Sequence, residues 1–146
     1  MADVDLTIGG AIGAASNLSG RIFTHYKELD FSLTSRSSAD VLQLFDIPAR
    51  SFVQFVAWEV VTAEGGTLTF DIGDGSDVDG YIDGADGDTV ALGALALALT
   101  EATPNTVTGY SNGKFYSAAD TLDLLINNDA DAAKIRVWAV ILDFGV

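Results

Sequence analysis

Phe52-Val-Gln-Phe-Val-Ala-Trp-Glu-Val-Val-Thr-Ala63 is rich in β-branched and aromatic residues and is apolar on both of its faces. Such a run reads as a central strand, because only a strand covered on both sides dispenses with a polar face. Lys134 to Phe144 (KIRVWAVILDF) has the same character. Ile135, Val137, Ala139 and Ile141 form one face, and Arg136, Trp138, Val140 and Leu142 form the other. Two strands of this kind cannot each set one face on a core and the other in water. A second layer covers them, or another subunit does, and some of each is expected. Phe52, Phe55, Trp58, Trp138, Val140 and Leu142 are therefore the candidate residues for a subunit or partner interface.

Working outward, the period of two persists. Leu29, Phe31 and Leu33 fall on one face of a strand beginning near Arg21, and a second strand ends at Pro48, which cannot continue a ladder. Thr67 to Ile72 places Leu68, Phe70 and Ile72 inward. The Glu64-Gly-Gly66 turn before it predicts a hairpin with the strand at 52–63. Asp120 to Ile126 and Lys134 to Phe144, joined through Asn127-Asn-Asp129, read as a second such pair. Val90 to Leu99 is an Ala/Leu run of 10 residues that fits either a short helix or a buried strand, and is about half of what a bilayer span needs. At least six short strands predict an all-β fold, an antiparallel β-sandwich of jelly-roll type over residues 21–146. Residues 1–20, Gly/Ala/Ser-rich, read as a flexible N-terminal arm, with Asp3 to Ile8 a possible short strand within it.

The chain has 146 residues, with 21 acids against 7 Lys+Arg and a formal net charge of −14. That field repels phosphate backbones, so nucleic acid is not an expected partner. Cysteine is absent, which removes disulfides, zinc–thiolate sites and cysteine nucleophiles. No basic start or apolar leader segment follows Met1, so synthesis in a cytosol is expected and a membrane is not an expected partner. His25 is the sole histidine, and nothing places a serine and an acid beside it, so no enzyme is expected.

Phe70 to Asp88 carries Asp71, Asp74, Asp77, Asp79, Asp83, Asp86 and Asp88, with no Lys, Arg or His anywhere from Ser51 to Gly113. Calcium suits dense carboxylates, which makes Asp74, Asp77, Asp79 and Asp83 candidate ligands. The EF-hand template nevertheless lacks its first ligand and its terminal Glu here. The simpler reading treats Asp and Gly as turn formers, with no cofactor. Tyr110-Ser-Asn-Gly-Lys-Phe-Tyr-Ser117 is a loop with three aromatics, placed to contact a partner or to cap the sandwich.

Taken together, Asp46-Ile-Pro-Ala49 before the apolar strand, Val61-Thr-Ala-Glu-Gly-Gly66, the Asp71–Gly84 segment, Gly113-Lys-Phe-Tyr-Ser117 and the two C-terminal strands give a sequence that resembles small tailed-bacteriophage capsid decoration, or cement, proteins. The resemblance spans roughly residues 22–144. It implies a non-enzymatic virion protein made in the host cytoplasm. It also implies a place on the outer capsid surface, commonly as a homotrimer, where the protein binds the major capsid protein and clamps neighbouring capsomers. Two alternatives stand beside it: a head-fibre or tail-tip protein contacting the host, and a calcium-dependent carbohydrate-binding sandwich using the four aspartates with Tyr81.

Overall fold

The computed structural model describes residues 21–94, 110 and 113–145. Residues 1–20 and 95–109, which hold the Gly/Ala arm and half of the Ala/Leu run, lie outside the described residues. Every described regular element is a strand: β1 (Arg21–Asp30), β2 (Val41–Ile47), β3 (Ser51–Thr62), β4 (Thr69–Asp74), β5 (Ile82–Asp86), β6 (Ala91–Ala94), β7 (Lys114–Tyr116), β8 (Asp120–Ile126) and β9 (Lys134–Asp143).

The strands form two antiparallel layers. The first runs β1-β9-β3-β6, with β7 also on β3; the second runs β2-β8-β4-β5. β6 lies against Ala57–Val60 and β7 against Ser51–Val53, in the same direction along one edge of β3. Together they fill one strand position. Eight positions in two layers of four, with nearly every connection passing between layers, make a jelly roll.

That connectivity corrects both hairpin expectations. β3 and β4 lie in different layers, as do β8 and β9. A two-residue turn would keep the chain in one sheet, but the connections here span residues 63–68 and 127–133, long enough to cross the roughly 10 Å between packed sheets. Glu64 ties the two crossings together. Its Oε2 accepts the backbone N–H groups of Asp131, Ala132 and Ala133 at 3.2, 3.1 and 2.8 Å. Burial disfavours its charge, but those three donors outweigh burial and hold its carboxyl below the usual range. Among the described connections, the one turn that stays within a layer is the Asp-rich β4–β5 hairpin.

Val53, Val56, Trp58 and Val60 of β3 and Ile135, Val137, Ala139 and Ile141 of β9 face Leu68, Phe70, Ile72, Leu122, Leu124 and Ile126 of the other layer. Full burial of side chains this size contributes about 1.5–3 kcal/mol each. Trp58 meets Phe70 edge-on at 5.4 Å and 86°. β1 is shorter than its pattern implies. It stops at Asp30, and Phe31 turns into the core as its N–H bonds the Ala133 carbonyl at 2.9 Å. Leu33, expected on the same face as Leu29 and Phe31, stands 82% exposed.

Candidate functional site

The register across the first layer shows what its outer face carries. Ile22 lies beside Leu142, Leu142 beside Phe52, and Phe52 beside Phe115. The next rows are Thr24–Val140–Phe55 and Tyr26–Trp138–Ala57, followed by Glu28–Arg136–Glu59. Tyr26 and Trp138 pack with ring centres 5.6 Å apart, and Phe115 lies 6.3 Å from Phe144. Ile22, Tyr26, Phe115 and Phe144 are each about half exposed or more. The first three rows hold no carboxylate, although the chain's net charge is −14. The fourth closes the patch with paired charges. Arg136 donates to Glu28 at 2.8 Å and to Glu59 at 3.3 Å.

Five of the six interface candidates, Phe52, Phe55, Trp138, Val140 and Leu142, thus meet on this one face. Trp58 does not. It is 2% exposed and points between the layers, so it is a core residue. The bulge between Val53 and Phe55 shifts the alternation, placing Phe55, Ala57 and Glu59 outward while Val56, Trp58 and Val60 turn inward. Periodicity alone could not assign a face to a strand that is apolar on both.

The four calcium candidates are not gathered. Asp74 ends β4 and is fully buried, with its carboxylate committed. Oδ2 accepts from Lys114 Nζ and from the Tyr116 hydroxyl, both at 2.6 Å. Oδ1 accepts from Ser76 N at 2.9 Å, Ser76 Oγ at 2.7 Å and Asp77 N at 3.0 Å. Tyr81 and Tyr116 share a hydroxyl contact of 2.8 Å, and Lys114 also donates to Tyr110 Oη at 2.6 Å. Burial opposes the charge on Asp74, but Lys114, Tyr116 and Ser76 outweigh it and hold the carboxyl far below the usual range. For Lys114 burial works the other way, yet Asp74 and Tyr110 raise its pKa. Burial, followed by the bonds to Asp74 and Tyr81, pushes the Tyr116 hydroxyl far up. A stable ion pair in a tyrosine cage fixes the hairpin to β7; it is neither a nucleophile nor an open metal site.

Asp77 is raised by its contact with Asp79, and Asp83 by burial and then by Asp71. Among the described residues no three acidic or histidine side chains converge to hold a metal. Lys114 and its tyrosines are what the sequence reading passed over. The signal was present one residue past the cation-free window, in the Tyr110–Ser117 loop. Gly113 turns that loop at φ +84°, and a Cβ there would come within 2.5 Å of the Val53 carbonyl oxygen.

One carboxylate in the second layer is only half satisfied. Asp123 lies beside Gly73, over which the β4–β5 turn folds so closely that a Cβ would sit 2.0 Å from the Asp77 carbonyl oxygen. Asp123 is 7% exposed, and its Oδ1 is buried with no hydrogen-bond partner. Burial, joined by Asp120 and Asp74, outweighs a hydrogen bond with Thr121 and raises its pKa above that of an ordinary aspartate. A raised folded pKa means the charged form weakens the fold at neutral pH. Asp123→Asn is therefore expected to stabilise the chain by about 1 kcal/mol at pH 7. The gain disappears below about pH 4, where both side chains are neutral. Paired thermal melts at pH 7 and pH 3.5 test this, and equal gains at both would contradict it.

Jelly rolls are found in virus shells, among other proteins. No family model matches the sequence, and no curated protein is significantly similar to it. Solved structures do match the fold. A chain of the cyanophage Pam1 capsid asymmetric unit superposes with a TM-score of 0.60 at 16% identity, over 85% of this chain and 86% of that one. A chain of the Ralstonia phage GP4 capsid gives 0.59 at 11% identity over 86% of each. A chain of the acid-stable capsid of Helicobacter pylori bacteriophage KHP30 gives 0.56 at 12%, over 85% and 89%. Coverage this even on both sides means chains of nearly equal length are being matched over most of their extent.

Proposed function

We propose that this chain is a non-enzymatic decoration protein of a tailed-phage head. In this reading it sits on the outer capsid surface as a homotrimer, binds the major capsid protein and clamps neighbouring capsomers. The observation that carries the reading is the run of three carboxylate-free rows on the outer face of β1, β9, β3 and β7, in a chain with net charge −14. Like-charged copies repel one another, and repulsion is least where neither carries charge. Apolar burial there contributes about 25 cal/mol per Å², and association through that face leaves the acidic hairpin outward. The matching chains from three phage capsids support the reading, since each is of comparable size and has the same fold.

The test is to mix the purified chain with expanded phage heads lacking decoration and count bound copies after sedimentation. Saturation at hundreds of copies per head, in multiples of three per local three-fold position, is the expected result. A chain that stays monomeric in light scattering and leaves the heads bare would overturn the proposal. Binding of a few copies at the tail tip would favour the host-contact alternative instead.

A further inference from the structure

At the opposite edge of the sandwich, β1 and β2 are the outermost strands of their layers among the described residues, and each carries a row of backbone groups that no described strand pairs. Between them opens a groove of about 810 Å³ whose walls include Leu29, Leu33, Val41 and Leu42. Leu33 and Val41 are 82% and 50% exposed on its rim. The uncommitted charge of the groove is positive. Its acids Glu28 and Asp30 are held by Arg136 and Lys134 at 2.8 and 2.9 Å. Its cations Lys27 and Arg36 have no side-chain partner among the described residues, in a chain where acids outnumber Lys+Arg 21 to 7. Two unpaired cations over an apolar floor, flanked by open strand edges, fit an extended segment that alternates acidic and apolar residues.

The chain carries such a segment. Asp3-Val-Asp-Leu-Thr-Ile8 alternates in that way and lies outside the described residues. Twelve residues, rich in Gly, Ala and Ser, separate Ile8 from Arg21, where β1 begins. A flexible link of that length has a root-mean-square reach of about 19 Å. The six steps along β1 from Arg21 to Lys27 cover about 20 Å. A tether whose mean reach matches the distance to its site gives the highest effective concentration there.

We propose that residues 3–8 of the same chain occupy this groove as an added strand. Val4, Leu6 and Ile8 lie toward its apolar walls, and Asp3 and Asp5 lie within reach of Lys27 and Arg36. The added strand covers an open edge and neutralises the two free cations, which keeps that edge from pairing with other chains.

The absence of cysteine makes the test direct. In the full chain, Leu6→Cys is combined with Val41→Cys on the groove rim, and in a control with Asp86→Cys on β5 at the far edge of the second layer. Mild oxidation is expected to close the Leu6/Val41 pair into an intramolecular disulfide about tenfold faster than the control pair, read by mass and by gel mobility. Adding Lys27→Glu and Arg36→Glu should remove that advantage, and adding Asp3→Lys and Asp5→Lys to those should restore it. Equal rates for the two pairs, or a disulfide formed only between chains, would overturn the proposal. These substitutions lie away from the outer face of β1, β9 and β3, so the head-binding assay reads independently of them.

Discussion

Lys114→Met should lower the stability of the isolated chain by about 3–5 kcal/mol at pH 7, the range seen when one partner of a buried ion pair is removed. Asp74 is fully buried and ionised, and Lys114 is its one cation among the described residues, at 2.6 Å. Tyr116 and Ser76 would still donate, but neutral donors do not balance a full charge in a low-dielectric setting. For a domain of this size the loss corresponds to roughly 10–15 °C in Tm. Asp74→Asn combined with Lys114→Met should recover part of it, because the second change removes the stranded charge.

The pH dependence separates this from a simple packing defect. Asp74's pKa is depressed in the folded state, so its contribution is complete well above the ordinary aspartate value of 3.8 and is lost as pH falls through the depressed folded value. Wild type and Lys114→Met should therefore converge as melts are taken from pH 7 down toward pH 2. A gap that stays constant over that range would assign the loss to packing of the lysine stem against the Tyr110 and Tyr116 rings, which its Nζ overlies at 4.2 and 4.9 Å.

How much of this was legible beforehand depends on what kind of information each feature needs. The strands were readable because alternation is local. Thr67–Ile72 puts Leu68, Phe70 and Ile72 inward as its pattern requires, and the apolar character of both faces of β3 and β9 is met on one face by the second layer, while the other face stays partly exposed in the single chain. Strand pairing was not readable. Glu64-Gly-Gly66 looks like a hairpin turn, yet the Glu64 carboxylate is used 67–69 residues away to cap the β8–β9 crossing. The Asp-rich hairpin misled for a related reason. A cation-free stretch of sequence suggested unsatisfied carboxylates, whereas the compensating charge came from β7, 40 residues on from Asp74. Buried charges find partners by topology, and a jelly roll brings distant segments together at nearly every connection.

The second large effect is expected on the outer face. Val140 lies between Thr24 and Phe55, in the middle of the three uncharged rows. In the lone subunit it is partly exposed, so Val140→Glu leaves its carboxylate free to reach water, at a cost of about 1 kcal/mol or less. Once that face is covered, the same carboxylate is desolvated. The nearest cation in the rows is Arg136, already engaged by Glu28 and Glu59. An unpaired charge buried at an interface costs several kcal/mol, which amounts to a loss of binding of roughly a hundredfold or more. Val140→Glu should therefore melt within a few degrees of wild type yet fail to saturate undecorated heads and fail to self-associate in light scattering. Asp86→Ala, on the acidic hairpin of the other layer, should bind as wild type. Heads that accept Val140→Glu at full occupancy while rejecting Asp86→Ala would invert the assignment, making the acidic layer the adhesive one.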